Sequence, residues 1–172
     1  MKLIDKNELV NSLYESAIPC LESFFKEHEG ECFFGFAVEI LAEEGYFHIG
    51  ANSLESFQLT IDSYSQSGES MESIMGEEIK WNNQEWEYFN LNYDSDIWEN
   101  LWNPTLTKID AYKKYIRTLG DQEWEKAQED FSSDFEAAGR EAFNKIISSG
   151  ILDKVKKTQD FRAFVFEHHE VF

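Results

Sequence analysis

The chain has 172 residues, 42% of them hydrophobic and 16% aromatic, and 34 acidic against 15 basic side chains leave a formal charge of -19. A chain of this length buries about 70% of the surface that its unfolded form exposes, and its aromatic content sets it apart from disordered chains. The charge repels phosphate backbones and anionic lipid, which disfavours nucleic acid and membranes as partners; it attracts cationic proteins over a Debye length of about 8 Å and also keeps the chain soluble.

Asp5 followed by Glu8 resembles a capping box and opens an amphipathic helix, with Leu9, Leu13, Ala17, Leu21 and Phe24 at helical spacing on the face expected to lie against the sheet. Pro19 inside this pattern predicts a kink or two consecutive helices, and Gly30 ends the element. Cys20 and Cys32 are the only cysteines, too few for a disulfide framework, so two reduced, buried thiols are expected. The N-terminus has no long apolar stretch and no run approaches the roughly 18 apolar residues of a membrane span, which makes the cytoplasm the expected address.

Residues 32–40 are nearly continuous apolar sequence, rich in aromatic and branched side chains and short for a helix; they read as a strand covered on both faces. Residues 46–51 form the return strand, and Ala42, Glu43, Glu44 and Gly45 supply the hairpin turn. Asn52 with Glu55 repeats the capping arrangement ahead of a second helix carrying Leu54, Phe57, Ile61 and Tyr64. From Ser63 to Glu78 periodicity gives way to Ser, Gly and Glu, the composition of a loop, with one helical turn expected near Met71 to Met75.

Trp81 to Trp102 holds four of the five tryptophans, three further aromatics, five acidic residues and no Lys or Arg. Within it, Glu85 to Asn92 alternates weakly as a strand would, and Asp94 or Ser95 caps a short helix with Ile97, Trp98, Leu101 and Trp102. Asn103-Pro104 then reads as the start of another helix, through Leu106, Ile109, Lys113 and Ile116 to Gly120, on which Lys108, Lys113, Lys114 and Arg117 form a cationic cluster. Residues 121–149 give the clearest helical period, from Trp124 through Phe131, Phe135 and Ala142 to Ile146, with Gly150 at the C-terminal cap. At 1.5 Å per residue such a helix spans about 43 Å, more than a small domain's diameter, so it must bend, break near Gly139 or project. Residues 161–166 suggest a terminal strand added to the hairpin. The economical architecture is one α+β domain over residues 1–172, a small, mainly antiparallel sheet packed by several helices.

Catalytic signatures are absent from the sequence. His168, His169 and Glu170 could join His48 or His28 around a metal, but neighbours on a strand point to opposite faces and neither an HExxH helix nor a CxxC pair is present. No metal ligand, cofactor site or catalytic residue is therefore assigned. Cys32 sits beside Glu29, Gly30 and Glu31, the wrong surroundings for a thiolate nucleophile, and the serine pairs lack a GxSxG context. The aromatic and acidic stretch carries the one site expectation. Trp86, Tyr88, Trp98 and Trp102 would anchor a basic protein while Glu85, Glu87, Asp94, Asp96 and Glu99 steer it. The competing reading is that these indoles are simply core, and their exposure decides.

FFGFAVEI, then YFHIGANSLESF, then KWNNQEW resemble the bacterial family catalogued as domain of unknown function 4303, through Phe36 with Val38, Ala51 with Asn52, and Trp81 with Glu85 and Trp86. The resemblance implies a single domain of about this length and supplies no catalytic residue. Small acidic families of this kind look like the immunity proteins that accompany bacterial polymorphic toxins. The expected function is thus a binding protein, an immunity-type inhibitor of a basic toxin such as a nuclease. A small-molecule or peptide-binding regulatory domain is the alternative, and a hydrolase with paired carboxylates the third. Oligomeric state is left open.

Overall fold

The computed structural model describes residues 5–67, 77–93 and 95–168, and over these the chain is an α+β domain with a three-stranded mixed sheet and five α-helices. Helix α1 spans Lys6–Glu27, capped by the Asp5 carboxylate, which accepts from the Asn7 amide at 2.8 Å. It runs through Pro19 as one element, so of the two expected alternatives, a kink or two consecutive helices, the second does not occur. Its apolar face packs chiefly on two later helices rather than on the sheet, which it reaches through Phe24 and Phe25, both edge-on to Phe33.

Strand β1 (Cys32–Leu41) pairs antiparallel with β2 (Tyr46–Ser53) across the expected turn, where Gly45 takes a left-handed φ of 71° and donates its amide to the Leu41 carbonyl at 2.8 Å. The C-terminal strand β3 (Lys156–Glu167) joins as expected, starts earlier than residue 161 and lies parallel to β1 on its other side, giving the order β2-β1-β3. β1 is therefore central and buried on both faces, as its nearly continuous apolar run predicts.

Two layers cover those faces. Phe36, Val38, Ile40, Phe47 and Ile49 join the main core with α1, α4 (Asp96–Ile116) and α5 (Asp121–Ser148). Phe47 stacks on Phe135 with centroids 4.3 Å apart and meets Trp102 edge-on at 5.7 Å. On the opposite face Phe34, Ala37 and Phe166 lie under Trp86, flanked by Phe57 of α2 (Leu54–Gln66) and by Trp81, which ends the short helix α3 (Glu77–Trp81).

Local chemistry explains where boundaries depart from expectation. α2 is capped by Ser53, not Asn52: Ser53 and Ser56 each accept the other's amide on a side-chain oxygen, a serine version of the capping box. Asn52 stays within β2, fully buried, its carboxamide oxygen accepting from the Ser56 hydroxyl. The helical turn expected near Met71 to Met75 falls outside the described residues.

Glu85 to Asn92 is not a strand. A 3₁₀ turn over Asn83–Glu85 leads into irregular chain, fastened to β2 by Ala51 N–H to the Tyr88 carbonyl at 3.1 Å and Leu91 N–H to the Ile49 carbonyl at 3.0 Å. Asn92 completes the join through its side chain, accepting from Ile49 N–H at 2.8 Å and donating to the Phe47 carbonyl at 3.0 Å. The weak alternation reflects rings packed inward from a looped segment rather than a pleat.

Ser95 caps α4, accepting from the Trp98 amide at 3.3 Å, and the helix continues through Pro104 where two helices were expected. α5 neither breaks nor stops at the core. Its 28 residues are continuous, burial starts in earnest at Phe131, and residues 121–126 are all exposed, so the helix projects. Gly139 is a contact rather than a break: a β-carbon there would lie 2.7 Å from Ile40 Cδ1 and 2.7 Å from Phe47 Cε1. Gly150 then turns the chain, through a 3₁₀ turn over Ile151–Lys154, into β3. Among the described residues, no helix is long and apolar enough to cross a membrane.

Alanine favours a helix interior over glycine by up to about 1 kcal/mol, whereas forcing a methyl into a filled core costs about 1–3 kcal/mol. Gly139→Ala is accordingly expected to lower the urea midpoint without changing the m-value. A midpoint at or above that of the parent would show that the α5 to sheet contact has slack.

Candidate functional site

The expected anchors are divided between core and surface. Trp86, Trp98 and Trp102 are buried, at 4%, 7% and 3% exposure, which removes them as solvent-facing anchors. Trp86 lies on Gly35, where a β-carbon would come within 2.5 Å of its ring, and its indole N–H donates to the Lys80 carbonyl at 2.9 Å. Trp98 and Trp102 stack on each other at 5.5 Å on the inner face of α4. Glu85 is half-buried and accepts from the Tyr64 hydroxyl at 2.5 Å, so it is a structural acceptor. Glu87, Asp96 and Glu99 are exposed, Tyr88 is half-buried, and Asp94 lies outside the described residues.

Helical phase puts other side chains outside. Ile97 and Leu101, each one residue before a buried indole, are rotated by about 100° and face solvent with Tyr93 four residues earlier, the three being 37%, 45% and 77% exposed. This apolar ridge, unforeseen as a site, was legible in the helical period: with Trp98 and Trp102 inward, their predecessors must face outward.

Beside the ridge, α1 and the segment from Glu87 to Ile97 enclose a cleft of about 630 Å³. Glu27, Glu87 and Asp96 supply its carboxylates, Phe24 and Tyr88 its aromatic wall, and no Lys or Arg lines it among the described residues. Cys20 also lines it; burial pushes its thiol above the ordinary range, which leaves it protonated and a poor nucleophile at neutral pH.

Tyr88 is held rigidly. Its ring packs on Phe24 and His28 with centroids 5.1 and 4.5 Å away, and its hydroxyl donates to the Glu31 carboxylate at 3.2 Å. Burial, then the Glu31 charge, pushes the phenol up to about 12. Burial would also raise the Glu31 carboxyl, but hydrogen bonds from Ser53 at 2.5 Å and from His28 at 2.8 Å, with Tyr88, hold it below its ordinary range. Glu31 thereby ties the end of α1, the start of α2 and the cleft wall together.

A second polar cluster crosses the sheet. Glu39, 2% exposed on the central strand, meets His48 Nδ1 of β2 at 3.0 Å and His168 Nδ1 beyond β3 at 2.7 Å. Two histidines considered as metal ligands do converge, but on a carboxylate; His28 belongs to the Glu31 cluster, and His169 and Glu170 lie outside the described residues. No group of three His, Cys, Asp or Glu side chains suited to a metal occurs among the described residues. Sequence reasoning missed Glu39, although one charged residue within FFGFAVEIL, opposite a histidine across a hairpin, was signal enough.

Burial alone would raise the Glu39 carboxyl, yet the hydrogen bonds and charges of His48 and His168 hold it below the ordinary 4.5. Its ionised form therefore contributes stability that is complete above pH 4.5 and is lost as pH falls through the lower folded value. Glu39→Gln is expected to lose about 1–3 kcal/mol at pH 7 in urea unfolding, with the gap to the parent narrowing below pH 4.5. A gap constant with pH would remove the ionised carboxylate as its cause.

No curated protein and no solved structure matches this chain. A family model matches over residues 13–171, spanning β1, the Trp81 to Trp86 segment and β3 alike. The chain belongs to the family described as Domain of unknown function (DUF4303).

Proposed function

We propose that the chain is a binding protein for a basic partner, acting as an immunity-type inhibitor that occludes a cationic bacterial toxin. The observation that carries this reading is the acidic cleft of Glu27, Glu87 and Asp96, which Ile97 also lines, together with the exposure of Ile97, of Leu101 one turn further along the helix and of Tyr93 just before it. Solvent-exposed apolar side chains beside carboxylates without a cation among them are the two halves of a docking surface. The ridge supplies buried contact area once covered, and the charge supplies orientation and association rate.

The roles follow from exposure. Glu27, Glu87, Asp96 and Glu99 attract lysine and arginine side chains, one of which enters the cleft against Phe24 and Tyr88, where carboxylates and ring faces both favour a cation. Tyr93, Ile97 and Leu101 fill the partner's apolar recesses. Trp98 and Trp102 hold the ridge from behind. An enzyme that handles polyanions presents such a cationic, partly apolar cleft, and a net charge of -19 favours its capture. The cleft's volume of about 630 Å³ also suits a small cationic molecule, which is the second reading.

Purified basic nuclease toxin domains, tested for inhibition and for binding kinetics at 50 and 500 mM salt, decide between them. Glu27→Gln/Glu87→Gln/Asp96→Asn is expected to slow association about tenfold or more at low salt, and Tyr93→Ala to act mainly by faster dissociation. Inhibition that ignores both variants and salt overturns the proposal. Failure to bind any such domain, together with a thermal shift from a polyamine such as spermidine, selects the second reading.

A further inference from the structure

Trp124 is the tryptophan that the Trp81 to Trp102 stretch does not contain, and it is 40% exposed on the first turns of α5, ahead of the point where that helix enters the core. This overhang is tied to the hairpin turn through Gln128 and leaves part of the indole open to solvent. Trp124 stands between two grooves. One, of about 330 Å³, is shared with Lys113 of α4 and with Arg117, which caps that helix. There Lys113 is already committed, donating to the Glu43 and Glu44 carbonyls at 2.9 and 2.8 Å, and burial holds its ammonium below the usual lysine range.

The other groove, of about 430 Å³, runs along α5 beside the hairpin turn and is walled by Glu43, Glu125, Glu129, Glu136 and Glu167. Glu136 is paired with Arg140 of the same helix at 2.8 Å. The base is uncharged, from Gln128, Ser132 and Ser133, with Gln128 also donating to the Glu43 carbonyl at 3.3 Å, which fixes helix against turn.

We propose that this groove is a second docking surface, which takes an arginine-bearing segment of another protein: one guanidinium lies on the Trp124 indole and its neighbours reach Glu43, Glu125 and Glu129. Charge complementarity selects this occupant. A planar guanidinium stacks on an indole face and pairs with carboxylates in the same pose, which neither an apolar peptide nor a phosphate-bearing ligand does. A second copy of this chain is a poor fit, because residues 121–130 bring five acidic side chains and one lysine against an acidic wall. The groove shares no lining residue with the α1 cleft, so it stands whether or not the proposed function holds.

The test is a ¹H–¹⁵N titration of the folded protein with an octa-arginine peptide at low salt, reading the tryptophan indole N–H signals, with Trp124→Phe identifying the one in question. The Trp124 signal is expected to move saturably, and the affinity read from it to fall at least fivefold in Glu125→Gln/Glu129→Gln. Glu15→Gln/Glu29→Gln, an equal charge change on exposed residues elsewhere, is expected to alter it less than twofold. A stationary Trp124 signal while the peptide binds, or equal losses in both double variants, overturns the proposal. Shifts confined to residues around Asp96 do so too, while leaving the α1 cleft as the cation site.

Discussion

A central strand buried on both faces requires two covers, and the architecture follows from meeting that demand for β1. Ten residues that are almost entirely apolar cannot leave either side wet, so one face takes the long helices and the other takes α2 and the looped Trp81 to Asn92 segment. Both covers depend on close approach. Gly139 brings α5 down on Ile40 and Phe47, and Gly35 lets the Trp86 ring lie on the strand itself. The two absent side chains set the distance from the sheet to its helical layer on one side and to its aromatic layer on the other.

The surface inherits its geometry from this packing. Because Trp86 is pinned over Gly35 and Asn92 is fastened to β2, the chain between them has little choice of path, and Tyr88 is carried to the end of α1 to form the cleft wall. Because Trp102 is drawn inward against Phe47 and Trp98 stacks on Trp102, Ile97 and Leu101 are turned outward. The buried indoles thus position the exposed ridge rather than forming it.

Much of the fold was legible in local pattern. The nearly continuous apolar run of β1, the turn at Gly45, the long period of α5 and the terminal strand each answer to one short-range rule, and each is present. What local pattern does not carry is direction and depth. Nothing within residues 156–167 distinguishes a parallel from an antiparallel partner, because that depends on where the preceding helices deliver the chain. Pro19 and Pro104 read as boundaries because a proline removes one helical donor; tertiary contacts on either side carry both helices through. Asn52 and Ser53 are adjacent, both are good caps and both are buried at the end of β2; the role falls to Ser53 because it bonds reciprocally with Ser56, whose hydroxyl occupies the Asn52 carboxamide oxygen. For the candidate site, composition singled out the stretch from Trp81 to Trp102, but it could not separate members turned inward from those turned outward; helical phase does so for Trp98 and Trp102 against Ile97 and Leu101.

The fastening of residues 88–92 along β2 has a consequence for how copies of this protein meet. Backbone groups on the outer side of β2 are occupied by Tyr88, Leu91 and the Asn92 carboxamide, so that side is closed to strand addition from another molecule. The opposite margin of the sheet is β3, where Lys156, Lys157, Asp160 and Arg162 place charges of both signs along the strand. Mixed charge of this kind discourages register-blind pairing. A three-stranded sheet, with two margins for its one interior strand, is in this way guarded against templated growth by a side-chain amide on one flank and by mixed charge on the other.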